Sequence, residues 1–401
     1  MKPSTPEAMN QQRFYEAHRL DDGVARQAGF NPYYPLIESA LDDPLVIGGR
    51  EFINLASNNY LGLSNDTRVV EAAISGIRKY GVSMCSTPVA AGYSDLFRKA
   101  EKALSAFSGL EESLIFPSCY QANNGLFQAI AHDGDLVVVD RFAHSSLVEG
   151  IKTAGCRYRP FRHNDMEHLE DILARSGEYN QVFVVTESVF STEGSIAPFR
   201  EINEICLRHG AIPVVDDSHG IGVLGKTGRG ILEYSGIEDY QGIYTASLGK
   251  ALATAGGMIA GKKPLMDYLR YSVSHLIYST AILPAALQAL IKVLEIIDME
   301  FPVISLRLWD HTRKLGKGLQ EAGYALTGTT TPIVSILSGD SLSTLTLSKM
   351  MHEQGILGTP FIYPSVPETE GCIRLIAGAN LKPQSVDRAI RIFQQMAMVH
   401  A

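Results

Sequence analysis

Short apolar runs separated by amphipathic stretches fill the middle of the chain. Runs over residues 113–116, 135–140, 181–186, 211–216, 242–246 and 258–260 are rich in Val and Ile or small apolar residues. They are bounded by Gly, Pro or polar residues, and this pattern predicts strands. The runs LVVV and VFVV are apolar at successive rather than alternate positions, which suits strands covered on both faces. Helical periodicity lies between them. In one such stretch Pro198 opens the first turn, Phe199, Ile202 and Ile205 share a side, and Gly210 marks the stop. Alternation of this kind predicts an α/β fold, a mostly parallel central sheet with helices on both faces.

The last quarter reads differently. Helical patterns over 305–322 and 343–353 alternate with strand patterns over 333–337 and 372–376, which predicts a smaller C-terminal α+β domain. The longest apolar stretch, 281–297, contains Pro284, Gln288 and Lys292 and reads as a buried helix rather than a membrane span. The first fifty-odd residues are polar and read as an arm. The expected division is an N-terminal arm over 1–55, a large α/β domain over 56–295 and a small domain over 296–401.

Composition narrows the function classes. A chain of 401 residues, 45% hydrophobic and 19% charged, is globular and long enough to bury a core without staples. Lys plus Arg total 35 against 43 Asp plus Glu, a net charge of −8 with no basic run, so no nucleic-acid partner is expected. Cys85, Cys119, Cys156, Cys206 and Cys372 are odd in number and scattered, so neither a disulfide framework nor a metal site is suggested. The N-terminus lacks the apolar core of a signal peptide. A cytoplasmic protein with no integral membrane segment is the expectation.

Candidate chemistry concentrates in two motifs. The first is PVVDDSHG, an apolar strand ending in Asp216, with His219 three residues on. Ligands of parallel sheets bind beyond the carboxyl ends of the strands, so both side chains can face one pocket. The second is TASLGK, where Lys250 follows the next apolar strand. A desolvated lysine there becomes an amine nucleophile toward aldehydes. Taken alone, an Asp-Asp turn is as readily a solvated loop, and a lysine among small residues is more often on the surface. Together they form the pair a pyridoxal phosphate (PLP) enzyme needs. The lysine forms the Schiff base, and the aspartate holds the pyridinium proton so that the ring acts as an electron sink.

At this point the chain resembles the α-oxoamine synthase family, fold-type I PLP-dependent transferases. The landmarks are SNNYLGLS from Ser57, DRFAHSSL from Asp140, ESVFSTEG from Glu187, VDDSHGIGVLGKTGRG from Val215, SLGKALATAGG from Ser247, HLIYST from His275 and IRLIAGAN from Ile373. The resemblance implies a homodimer that condenses a small α-amino acid with an acyl-CoA and loses carbon dioxide, giving an α-amino ketone. Aminotransfer on the same fold, or a non-catalytic relative, stays open as an alternative. The resemblance makes Lys250 the Schiff-base lysine and mover of the α-proton, and Asp216 the partner of the pyridinium nitrogen. His219 is the donor to the phenolic oxygen and His144 the ring-stacking histidine. Ser118, Cys119 and Tyr120 form the phosphate turn at a helix start, with Asn123 and Ser191 beside the cofactor. Ser247 is a phosphate ligand, and Thr280 is a hydroxyl offered to the neighbouring subunit's phosphate. Asn58 and Arg374 bind the amino acid carboxylate.

One segment departs from the family pattern. Where many members carry several glycines, residues 84–92 read MCSTPVAAG, and Phe97 stands where a histidine is usual. This loss of glycines, and the TASLGK run, resemble the α-aminoketone autoinducer synthases. HNDMEHLE and HLIYST are closer to 8-amino-7-oxononanoate synthase, and serine palmitoyltransferase is a further relative in this group. Side chains replacing glycine reshape a ligand space. The expectation is a preference for alanine or a similar small amino acid over glycine, with Met84, Val89 and Phe97 suited to an apolar acyl chain.

Overall fold

The computed structural model describes residues 13–18, 22–328 and 330–400. Strands β1 (Leu45–Ile47) and β2 (Arg50–Asn54) pair antiparallel near the N-terminus. The large sheet follows, with β3 (Glu112–Phe116), β4 (Leu136–Asp140), β5 (Arg157–Phe161), β6 (Val182–Glu187), β7 (Ile212–Asp216), β8 (Ile243–Ser247) and β9 (Gly257–Gly261). Their order is β3-β9-β8-β7-β6-β4-β5, and β9 runs against the other six. The expected α/β architecture is therefore present.

The continuous apolar runs are explained by two cores. Leu136, Val138, Val184 and Val215 pack into one cluster, while Val137, Val139, Val185 and Val214 pack into another on the opposite face. Successive residues of a strand point to opposite faces, so every position must be apolar. β5 gave no such signal because RYRPF is exposed at four of its five positions. It is the edge strand, where Pro160 costs no interior ladder bond.

The C-terminal region contains β10 (Ile333–Gly339), β11 (Ile356–Leu357), β12 (Thr359–Phe361) and β13 (Gly371–Ile376), with an antiparallel sheet ordered β10-β13-β12. β11 pairs in parallel with β2, matching Ile356 to Ile53 and Leu357 to Asn54. The stretch read as an arm thus contributes strands to the C-terminal region. Its residues 1–12 and 19–21 lie outside the described residues.

The apolar stretch after 281 and the helical pattern over 305–322 belong to one helix, Pro284–Glu321, of 38 residues. The division expected after residue 295 falls inside it. Pro302 does not end this helix. A proline in a helix interior costs about 3 kcal/mol. Each buried apolar side chain returns about 1.5–3 kcal/mol, and Phe301, Ile304 and Leu308 around it are all buried. Packing outweighs the lost bond.

All the parallel strands end at one edge, and β9 begins there beside the end of β3, with Phe116 opposite Gly257. Gly257 is needed at that spot. A Cβ on it would lie 2.3 Å from Cys119 Cα and 2.4 Å from Cys119 N, at the start of the helix Cys119–Ile130. Backbone cannot yield cheaply, so Gly257→Ala should lose about 1–3 kcal/mol in urea unfolding. Gly177→Ala, where a Cβ meets nothing within 4 Å, should change stability little. Equal effects of the two substitutions would show that the helix start does not depend on this close approach.

Candidate active site

The carboxyl edge of the large sheet carries a cluster of buried ionisable groups. Register places Glu187 of β6 beside Asp216 of β7, and Asp216 beside Thr245 of β8. Asp216 Oδ2 accepts from Asn123 Nδ2 at 2.7 Å, and its Oδ1 accepts from the Ser218 amide at 2.9 Å. Asn123 also donates to Ser146 Oγ at 2.9 Å. Ser146 Oγ lies 2.8 Å from His144 Nδ1. A hydrogen-bonded chain thus runs from Asp216 through Asn123 and Ser146 to His144.

His144 caps the helix Ser145–Ala154, and its own amide donates to Glu187 Oε1 at 2.7 Å. Burial lowers the pKa of His144. It lowers that of His219 well below the usual value, with the charges of Lys250 and Arg374 adding to the effect. Burial also lowers the pKa of Lys250, against the attraction of Asp216 and Glu187. Glu187 is pushed well above the carboxylate range, first by burial and then by repulsion from Asp216. These mutual influences put Lys250, Asp216, Glu187, His144, His219 and Arg374 within electrostatic reach of one another. Among them the lysine is shifted toward its free amine and both histidines toward neutrality.

Arg374 stands on β13, so the C-terminal sheet contributes directly. It is 7% exposed, donates from Nη1 to the Ser191 carbonyl at 2.9 Å and lies over the Phe361 ring. Among the described residues its Nε has no hydrogen-bond partner, nor does the buried Oδ1 of Asn58. The placement of Ser191 is informative, since its carbonyl orients Arg374. At the phosphate turn, Ser118 Oγ accepts from the Gln121 amide at 3.1 Å and caps the helix. The first amides of a helix have no intrahelical acceptor and suit an anion. Cys119 lies beneath the site, its Sγ 3.4 Å from Ser218 Oγ, whereas Tyr120 is exposed. Ser218 Oγ accepts the Ser247 amide at 2.8 Å, tying that strand end to the turn. Thr280 is exposed, and its neighbour Ser279 accepts from Gln121 Nε2 at 3.3 Å, beside the same helix start.

Several participants had no motif role at the sequence level: Glu187, Tyr60, Ser146, Ser218 and Asp217. Glu187 had a usable signal, because VFVVTE ends an apolar strand in a carboxylate as IPVVD does. Tyr60 donates no spacing signal, yet its hydroxyl lies 2.7 Å from His219 Nδ1.

A model of the family described as aminotransferase class I and II matches residues 50–393. The chain is 34% identical over 361 residues to the 8-amino-7-oxononanoate synthase of Treponema denticola, spanning 90% of this chain and 91% of that one. It is 32% identical over 387 residues to the 2-amino-3-ketobutyrate coenzyme A ligase of Escherichia coli K12, spanning 96% and 97%. The serine palmitoyltransferase structure from Sphingomonas wittichii superposes with a TM-score of 0.90 at 25% identity over 99% of both chains. This chain belongs to the α-oxoamine synthases.

The residues of this α-oxoamine synthase fit PLP, the family's cofactor. A capped helix start stands ready for the phosphate, and Asp216 is held by Asn123 where a ring nitrogen needs a carboxylate. Among the described residues two buried polar atoms here lack partners, the donor Arg374 Nε and the acceptor Asn58 Oδ1.

Behind Asp216 lies Asp217, fully buried. Its Oδ2 accepts from Tyr244 Oη at 2.7 Å and from the Ile231 amide at 2.8 Å. Ser188 lies close enough to favour the ionised form, although neither its Oγ nor Asp217 Oδ1 makes a hydrogen bond of normal geometry. Burial dominates and pushes the Asp217 carboxyl from 3.8 up to about 7. The folded protein therefore holds a proton that the unfolded chain releases between about pH 4 and 7. Stability from this group is complete below that window and is lost as pH rises through it, by up to about 1.4 kcal/mol per pH unit. The stability of Asp217→Asn relative to the native chain should climb from pH 4 to 7 and then level off in urea unfolding series. A pH-independent difference would mean that Asp217 is ionised in the fold.

Proposed function

We propose that the protein condenses an amino acid with the acyl group of an acyl-CoA, with loss of carbon dioxide and release of CoA, to give an α-amino ketone. The observation that carries this is the convergence of Lys250, Asp216, His144, His219 and Arg374 at the carboxyl edge of the large sheet of an α-oxoamine synthase. PLP bound there supplies an electron sink for negative charge developing at the amino acid's α-carbon. Asp216, held by Asn123 and the Ser218 amide, would pair with the ring nitrogen. Arg374, whose Nε has no partner among the described residues, would offer its guanidinium to the amino acid carboxylate, and Asn58 would donate to it from Nδ2. Lys250, shifted toward its free amine by burial, takes the α-proton and later returns one. His219 would hold the phenolic oxygen and His144 would cover the ring. Ser118, Cys119, Tyr120 and Ser247 would hold the phosphate, with Asn123 and Ser191 beside the cofactor.

The finer reading concerns substrates. In residues 84–92 Thr87 is extended before Pro88, and Pro88–Gly92 wind into one wide π-helical turn closed by the Gly92 amide on the Thr87 carbonyl at 2.9 Å. The Ser86 carbonyl accepts from the Ala281 amide at 2.9 Å, so the loop rests on the Thr280 segment. Val82 and Val89 are 69% and 54% exposed there, and Met84 is half-buried. Phe97 is 1% exposed and packs beside Tyr93 in the core, which removes it from the substrate surface. The remaining apolar side chains support a medium or long acyl-CoA with alanine or a similar small amino acid rather than glycine. In a matrix of glycine, alanine, serine and 2-aminobutyrate against short, medium and long acyl-CoAs, thiol release should peak for alanine-like partners and longer chains. Lys250→Ala should bind PLP, take up no borohydride-fixed cofactor and release negligible thiol. Aminotransfer without thiol release would overturn the proposal, and a best pair of glycine with succinyl-CoA would overturn its finer part.

A cytoplasmic homodimer completes this reading. Tyr271 and Tyr278 are 73% and 83% exposed around Thr280, an apolar surface suited to a second copy. Thr280 is then offered to the neighbour's phosphate. Among the described residues, no helix is long and apolar enough to cross a membrane. Sizing of the active enzyme should give twice 43.7 kDa, with activity falling as dilution separates the subunits. Full activity in a sample that sizes as a monomer would remove Thr280 from the site.

A further inference from the structure

The two histidines of the site share a feature that their assigned roles do not require. Each uses Nδ1 inside the protein. For His144 the direction of the bond is fixed by chemistry. The Ser146 backbone amide, which can only donate, points at Nδ1 from 3.2 Å. Ser146 Oγ already accepts from Asn123 Nδ2, so its own hydrogen is free for Nδ1 at 2.8 Å. A neutral imidazole that accepts at Nδ1 carries its proton on Nε2.

His219 reaches the same state by another route. Its Nδ1 lies 2.7 Å from Tyr60 Oη, and the two rings meet edge to face with centroids 6.1 Å apart. Both residues are buried, at 1% and 5% exposed. Among the described residues Tyr60 Oη makes one hydrogen bond, to this nitrogen. The charged group felt by both side chains is Arg374, whose guanidinium offers donors and no acceptor. Were Nδ1 to carry the proton and donate to Oη, the phenolic hydrogen would be left buried without an acceptor, a penalty that buried polar groups avoid. The phenol therefore donates to Nδ1, and burial keeps it protonated by raising its pKa.

We propose that Tyr60 is a positioning residue that fixes His219 as the Nε2–H tautomer, so that the neutral ring presents one N–H donor to the cofactor's phenolic oxygen. This rests on the proposed role of His219 at that oxygen. With His144 set the same way, the pocket holds two neutral imidazoles whose outward nitrogens can only donate. Neither then competes with Lys250 for the substrate proton.

The test is made first without PLP. In apo protein labelled with 15N-histidine, long-range proton–nitrogen spectra separate a protonated from an unprotonated ring nitrogen. The His219 signal is assigned by its loss in His219→Asn. The expected result is an unprotonated Nδ1 and a protonated Nε2 in the native chain, and a loss of that preference in Tyr60→Phe. A protonated Nδ1 in the native chain overturns the proposal even if the variant fails to fold. An unchanged tautomer in a folded Tyr60→Phe overturns it as well, since a purely structural tyrosine would leave the ring as it was. A separate measurement judges the underlying role. If the visible spectrum of PLP-loaded protein is the same in His219→Asn as in the native chain, His219 does not meet the phenolic oxygen, whatever the apo tautomer.

Discussion

Everything at this site depends on holding the buried Asp216 side chain in place. It is 4% exposed at the end of β7, where its carboxylate oxygens need hydrogen-bond donors. Two donations meet them, from Asn123 Nδ2 to Oδ2 and from the Ser218 amide to Oδ1, and Lys250 lies within electrostatic range. Asn123 can do this because the helix Cys119–Ile130 is held close to the sheet, with Gly257 leaving room for its first turn and Gly150 for the Asn123 backbone. Removing the room would move the amide, and moving the amide would loosen the carboxylate.

The parallel sheet explains why so many groups converge. Asp140, Glu187, Asp216 and Ser247 end four of its strands, and the helix Ser145–Ala154 begins just beyond the first. Five apolar strands are buried on both faces, so their carboxyl ends are the first positions where polar side chains meet a pocket. Arg374 is the exception in origin. It arrives from the antiparallel C-terminal sheet and is aligned by the Ser191 carbonyl, which couples the two sheets through the substrate-facing groups.

How much of this the sequence made legible follows from what each residue does locally. The central strands were readable because two-sided burial demands unbroken apolar runs, and Asp216 and Lys250 because each directly follows such a run. β5 was not, since an edge strand such as RYRPF needs no apolar face. The Pro284–Glu321 helix was read as two pieces because Pro302 is a local break signal, whereas the packing of Phe301 and Ile304 that overrides it is long-range. β2 has one local partner, β1 across Gly48-Gly49, a hairpin the polar composition of this stretch masked, and one distant partner, β11, some three hundred residues away. Among site residues, those that act on the cofactor were visible as motifs, while those that act on other side chains were not. Tyr60, Ser146 and Asp217 gain meaning only when the fold brings a partner to them.

That difference bears on how the pocket avoids working against itself. It collects Lys250, His144, His219 and Arg374, four groups able to be cationic, around two acidic ones, Asp216 and Glu187. Full ionisation would leave several like-charge repulsions among partly buried groups, where they are stronger than in water. The structure resolves this by neutralising members selectively. Burial shifts both histidines toward neutrality, the histidine backbone amide occupies one oxygen of Glu187, and the shift of Glu187 toward its protonated form offsets that of Lys250 toward its amine. Asp216 is held by two full hydrogen bonds, and the Arg374 guanidinium cannot give up its proton. Among these groups Lys250, shifted toward its amine, is the one freed to accept a proton.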